Sequence, residues 1–128
     1  MKSILYVDDH EVLARLSCEI LQMQGYHAEY AYNGADALSK FENGNYDMLV
    51  TDYRMEGMNG LELARQIHQK APEVPVIVVS GYAHDNEPCE AVSPWLEKQD
   101  MFPALLDHIK HFLGESDPQE SPESLKTA

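Results

Sequence analysis

Basic side chains are in short supply: nine Lys and Arg stand against 22 Asp and Glu, leaving a formal charge of −13. Phosphate backbones and anionic lipid surfaces both gain affinity from cationic side chains, so this charge argues against a direct nucleic-acid reader or a membrane-surface binder. Cysteine is nearly absent. Cys18 and Cys89 lie 71 positions apart, with no CxxC and no Cys/His cluster, which speaks against a disulfide framework or a zinc site and fits a reducing compartment, the cytoplasm. Long apolar runs are missing as well. The stretch from Ile4 to Val7 is too short for a signal peptide, and nothing approaches the ~20 residues of a membrane span. At 128 residues the chain is expected to be soluble and long enough for one domain with a core.

What is present is a regular alternation of short apolar runs with helical patterns. Ser3 to Val7 reads as a strand that meets Asp8-Asp9-His10, after which Val12, Leu13, Leu16, Ile20 and Met23 recur at helical spacing up to Gly25. Tyr26 to Ala31 is a weaker, mixed strand that suits a sheet edge. Asn33 can cap a helix carrying Ala37, Leu38 and Phe41, stopped by Asn43-Gly44. Asp47 to Asp52 is an almost wholly apolar strand ending in a carboxylate. A third helix follows Asn59, with Leu63, Ala64 and Ile67 on one side and Pro72 closing it. Val74 to Val79, rich in β-branched residues, is the most strand-like run and ends at Ser80.

Beyond Ser80 the pattern weakens, and Pro88 leaves room for a helix no longer than Pro88 to Val92. Ser93 to Glu97 predicts a short last strand leading to Lys98. Asp100 can cap a final helix whose Phe102, Leu105, Leu106, Ile109, Phe112 and Leu113 make a broad apolar stripe ending at Gly114. The spacing thus predicts one domain over 1–114 and an acidic, disordered Ser/Pro/Glu tail over 115–128. Strands alternating with helices imply right-handed crossovers and a doubly wound α/β fold: five parallel strands with helices on both faces. The helix between Ser80 and Lys98 should be shortened or missing.

In open sheets of this kind, ligands gather beyond the carboxyl ends of the strands. Asp8, Asp9, Asp52, Ser80 and Lys98 each fall at or just after such an end. Alone, each has a plainer reading. Asp-Asp before a helix is often an N-cap, Asp52 could cap a turn, Ser80 could be a loop residue and Lys98 a solvated surface charge. Their joint order along four different strand ends favours a site. Three carboxylates forced together repel by roughly 4 kcal/mol per pair at ~4 Å and an effective dielectric of about 20, so a cation must offset them. An incomplete oxygen cage suits Mg²⁺, with Asp9 and Asp52 as direct ligands, Asp8 acting through water, and a backbone carbonyl near Arg54. A metal-bound carboxylate can also be a nucleophile toward phosphorus, giving an aspartyl phosphate on Asp52 whose oxygens Lys98 and Ser80 would hold.

From Lys2 to Leu113 the sequence resembles the receiver domain of two-component response regulators. The resemblance rests on Asp8-Asp9, Asp52 with the Met55, Met58 and Gly60 spacing, Ser80 after a hydrophobic strand, and Lys98. It implies a flavodoxin-like strand order 2-1-3-4-5, an acid pair binding Mg²⁺, a phosphoacceptor Asp52, a switch serine and a phosphoryl-pairing lysine. It also implies a histidine kinase or histidine phosphotransfer protein as donor, an unidentified downstream protein, and a stand-alone monomer or weak dimer. Such a domain is not an enzyme but a phosphoacceptor that promotes its own phosphotransfer and slow dephosphorylation.

The sequence departs from that pattern in places. Glu56 stands where Pro commonly follows Met, adding an acid and loosening the turn. Gln99 replaces the usual Pro after the lysine, and Trp95 replaces a smaller Tyr or Phe switch, which suggests an indole left outside as a docking residue or packed in the core. Only 18 positions separate Ser80 from Lys98, so an altered output surface is expected. Arg54 and Tyr82 lie two positions after Asp52 and Ser80, where bulk would obstruct an in-line water and slow dephosphorylation. An aspartate-nucleophile phosphatase is disfavoured because Arg54 stands where its second Asp belongs. A flavin-binding reading lacks a phosphate-cradling loop after strand one. A degenerate receiver acting as a phosphorylation-independent binding module is the remaining alternative.

Overall fold

A computed structural model describes residues 2–81, 92, 95–98 and 101–114. In chain order the elements are β1 (Ser3–Val7), α1 (Glu11–Met23), β2 (His27–Ala31), α2 (Gly34–Asn43), β3 (Met48–Asp52), α3 (Gly60–Lys70), β4 (Val76–Ser80), β5 (Trp95–Glu97) and α4 (Met101–Leu113). All the strand pairings are parallel, in the order β2-β1-β3-β4-β5. This is the doubly wound sheet that the alternating pattern implies, in the flavodoxin-like order that the resemblance implies. The capping aspartate at 100, the helix between Ser80 and Lys98, and the acidic tail lie outside the described residues. No helix among the described residues is long and apolar enough to cross a membrane.

Period-two alternation divides the core into two layers. Ile4, Tyr6, Met48, Val50, Ile77 and Val79 face α1 and α4, while the intervening Leu5, Val7, Leu49, Val76 and Val78 pack on the side of α2 and α3. β3 and β4 are buried along their whole length, as expected for central strands covered on both faces. A strand in that position is rigid, and its last residue is delivered to the rim with little freedom.

The helices are closed by short polar residues. Asn33 Oδ1 accepts the N–H of Asp36 at the start of α2, and Asn59 with Glu62 forms a reciprocal capping box on α3. At α1 the cap is His10, whose Nδ1 accepts the Leu13 N–H, which frees the acidic pair from that duty. The buried face of α1 differs from the expected stripe. Ala14, Ser17, Cys18 and Leu21 turn inward, whereas Val12, Leu16 and Met23 are 51%, 50% and 82% exposed. Small side chains on the inner face let the helix lie close to the sheet, and the large apolar ones are left outside.

At the β2 edge, His27 N–H donates to Lys2 O and Ala31 C=O accepts the Asp8 N–H, at the two ends of β1, so the alternation of the strand turns the carbonyls of Ala28 and Tyr30 outward. Both are occupied. Gln22 Nε2 donates to Ala28 O at 3.0 Å, and Lys40 Nζ donates to Tyr30 O at 2.6 Å.

Candidate functional site: an acidic rim at the switch point

The strand order reverses between β1 and β3, and the crevice beyond their carboxyl ends is where such sheets bind ligands. Asp8 and Asp9 follow β1 directly, and Asp52 is the last residue of β3. One carboxylate oxygen from each of these three acids lies within 4.8 Å of the others, with Asp8 and Asp52 buried and Asp9 exposed. Ser80 ends β4 and is 1% exposed. Lys98, just past β5, places Nζ 3.2 Å from Asp8 Oδ2 and 3.3 Å from Asp52 Oδ2. Residues scattered over ninety positions thus meet at one rim because they close four parallel strands, Asp8 and Asp9 sharing the end of β1.

Electrostatics set the character of the crevice. Burial pushes the Asp52 carboxyl up to about 6, with Lys98 opposing and Asp8 reinforcing the shift. For Lys98, burial disfavours the charge, but Asp52 and Asp8 outweigh it and its pKa is raised. Asp8 Oδ1 accepts the His10 N–H at 2.9 Å. Asp8 Oδ2 is buried without a well-formed hydrogen bond and has the Lys98 ammonium as its counter-charge. A fully buried carboxylate oxygen short of donors, in a set of three acids, fits a hard divalent cation bound through oxygen.

The remaining expected residues fall around this centre. Arg54 is exposed in the loop after β3. Trp95 is half-buried, its ring 5.5 Å from that of Tyr53 and against the α2/α3 core layer, between the two arrangements considered from the sequence. Tyr82 lies outside the described residues. Three contributors were not singled out beforehand: Tyr53, which carries the Trp95 contact and donates its N–H to Val79 O at 2.8 Å; His10; and the Glu56 backbone N–H, 3.3 Å from Asp9 Oδ2. An open cleft of about 620 Å³ beside Asp9, walled by Tyr32, Asn33, Glu56 and Met58, admits water to the crevice.

An open parallel sheet with carboxylates, a serine and a lysine collected at its switch point defines a CheY-like α/β signalling domain. The sequence model of the response regulator receiver domain matches residues 4–98, and the chain belongs to that family. It is 32% identical over 113 residues to the sensor protein EvgS of Escherichia coli (strain K12), an overlap of 88% of this chain and 9% of EvgS. It is 28% identical over 112 residues to the autoinducer 1 sensor kinase/phosphatase LuxN of Vibrio campbellii, covering 88% of this chain and 13% of LuxN. The chain therefore spans only about a tenth of these sensor proteins. Among solved structures it is similar to the response regulator TrrA of Thermotoga maritima in complex with Mg(2+)-BeF, with TM-score 0.82, 36% identity, and 88% and 100% of the two chains covered. It is likewise similar to a chain of the complex of histidine kinase ThkA with TrrA, with TM-score 0.80, 36% identity and coverage of 88% and 99%.

Two expectations follow from the geometry. A Cβ at Gly60 would overlap the carbonyl oxygen of Asp52 and crowd Cα of Tyr53, so Gly60→Ala must shift the end of β3. It should cost about 1–3 kcal/mol of stability and weaken Mg²⁺ binding, read by urea unfolding and calorimetric titration; unchanged values for both would mean that the loop absorbs the methyl group. The second concerns pH. Because the Asp52 pKa is raised on folding, its protonated form suits the fold, and that stabilisation is present below the ordinary aspartate value and lost as pH rises through about 6. In EDTA, Asp52→Asn should match wild-type stability near pH 4 and exceed it above pH 6; a stability difference independent of pH would contradict the shift.

Proposed function

We propose that this receiver domain takes a phosphoryl group from a protein phosphohistidine onto Asp52 and signals through protein contacts. One observation carries the reading: the Lys98 ammonium bridges Asp8 and Asp52 within a cluster of three acids. Three carboxylates and one ammonium leave two negative charges, which a divalent cation matches. Asp9 and Asp52 would hold Mg²⁺ directly and Asp8 through water, with a backbone carbonyl near Arg54 completing the set. When bound, the ion shields the negative charge between the carboxylate and the incoming phosphoryl group.

The Asp52 carboxylate attacks phosphorus, the P–N bond breaks, and its electron pair stays with the imidazole, which leaves as the neutral ring because its other nitrogen carries a proton in the reacting phosphohistidine. Lys98 and the Ser80 hydroxyl then pair with the transferred oxygens. The phosphoryl group carries a charge of roughly −1.5 to −2 in place of the carboxylate's single charge, and the added negative charge in a nearly buried position draws Lys98 toward it and biases the ends of β4 and β5. Trp95, packed on Tyr53, sits in the path of that change. The apolar stripe of Val12, Leu16 and Met23 on α1 starts beside the acidic rim and suits a protein donor more than a small molecule. That TrrA was solved with a histidine kinase supports such a donor. Bulk at Arg54 and Tyr82 would slow hydrolysis.

Incubation with acetyl phosphate and Mg²⁺ should add one phosphoryl group to the wild type by mass spectrometry and none to Asp52→Asn; an unlabelled wild type would leave a binding module in place of a switch. In the labelled protein, Arg54→Ala should lose the phosphoryl group several-fold faster, measured by the decay of the intact mass. An unaltered decay would remove crowding as the cause.

A further inference from the structure

We propose that the backbone N–H of Glu56 is a positioning group that holds Asp9 in place for the divalent cation. This deepens the metal-site reading above and rests on it. Asp9 is the exposed member of the acid set, and repulsion from Asp8 and Asp52 drives it toward the open cleft on its outer side. Lys98 offsets the charge of the two buried acids. Asp9 is instead met across 47 positions of sequence by the Glu56 N–H, 3.3 Å from its Oδ2.

The loop that presents this donor is braced on both sides. Gly57 turns the chain at φ 81° directly behind Glu56. Beyond it, the Gly60 N–H is bonded to Tyr53 O at 2.8 Å, and the Asn59–Glu62 capping box closes the start of α3. A carboxylate oxygen that accepts one N–H keeps a lone pair for the ion. Hydrogen bonds that orient a metal ligand commonly change metal affinity tenfold or more. The Glu56 side chain has no part in the contact, so its acidity and its N–H act separately.

That separation makes the test. Glu56→Ala and Glu56→Pro both remove the carboxylate, but only proline removes the N–H. Calorimetric titration with MgCl₂ should give a Kd roughly tenfold weaker for Glu56→Pro than for Glu56→Ala, with melting temperatures of the metal-free proteins compared alongside. Equal Kd values for the two variants, with normal Mg²⁺ binding by the wild type, would overturn the tether alone. Failure of the wild type to bind Mg²⁺ would overturn the metal-site reading together with it. Should the proline variant not fold, an amide-to-ester replacement of the same N–H by semisynthesis reads the same loss without altering the side chain. Amide exchange gives a second measure: the Glu56 N–H of the wild type should be protected, and Asp9→Ala should abolish that protection, whereas equal exchange in both proteins would refute the contact.

Discussion

The arrangement depends on a repulsion. Asp8 is fully buried and Asp52 is 7% exposed, and both present oxygens to one crevice because parallel strands β1 and β3 end side by side. Neither acid can withdraw, since each closes a strand whose other residues fill both core layers. Lys98 is therefore more than a surface charge. It stands on both acids, and in doing so ties the short edge strand β5 to the centre of the sheet. A crevice built this way stores an electrostatic imbalance, and any event that changes its charge must be answered by movement of the lysine, the most exposed of the three at 29% for its side chain.

How far this could be read in advance varied by element. β3 and β4 were legible because unbroken apolar runs with β-branched residues have few other homes than the middle of a parallel sheet. The gathering of Asp8, Asp9, Asp52, Ser80 and Lys98 followed from topology, since the ends of parallel strands share one rim whatever the details of the loops. The orientation of α1 was not legible, for a physical reason. The inner face is made of Ala14, Ser17 and Cys18, small residues that weigh little in a hydrophobic pattern, while Val12, Leu16 and Met23 suggest a buried stripe that the structure leaves exposed.

Other features were invisible to side-chain reasoning. The contact between Glu56 and Asp9 is made by a main-chain N–H, and every residue except proline carries one, so no residue type announces it. What the sequence did offer was a negative sign, the lack of proline at that position. The packing of Tyr53 against Trp95 needs the β4–β5 register, in which Val78 lies opposite Trp95, and a three-residue strand gives little signal of its own. His10 as the cap of α1 was hidden by two neighbouring aspartates that are better capping residues by type. They are spared for other chemistry.

The outer border of the sheet at β2 has a consequence for life at high concentration. A lysine from one helix and a glutamine from another cover the two carbonyls that a foreign backbone would need as acceptors. Sheet growth is thereby arrested on that flank without a bulge or a proline, and the strand itself keeps an ordinary, unkinked geometry. Many copies can crowd together without zipping into ribbons, so encounters between molecules are left to helices and loops.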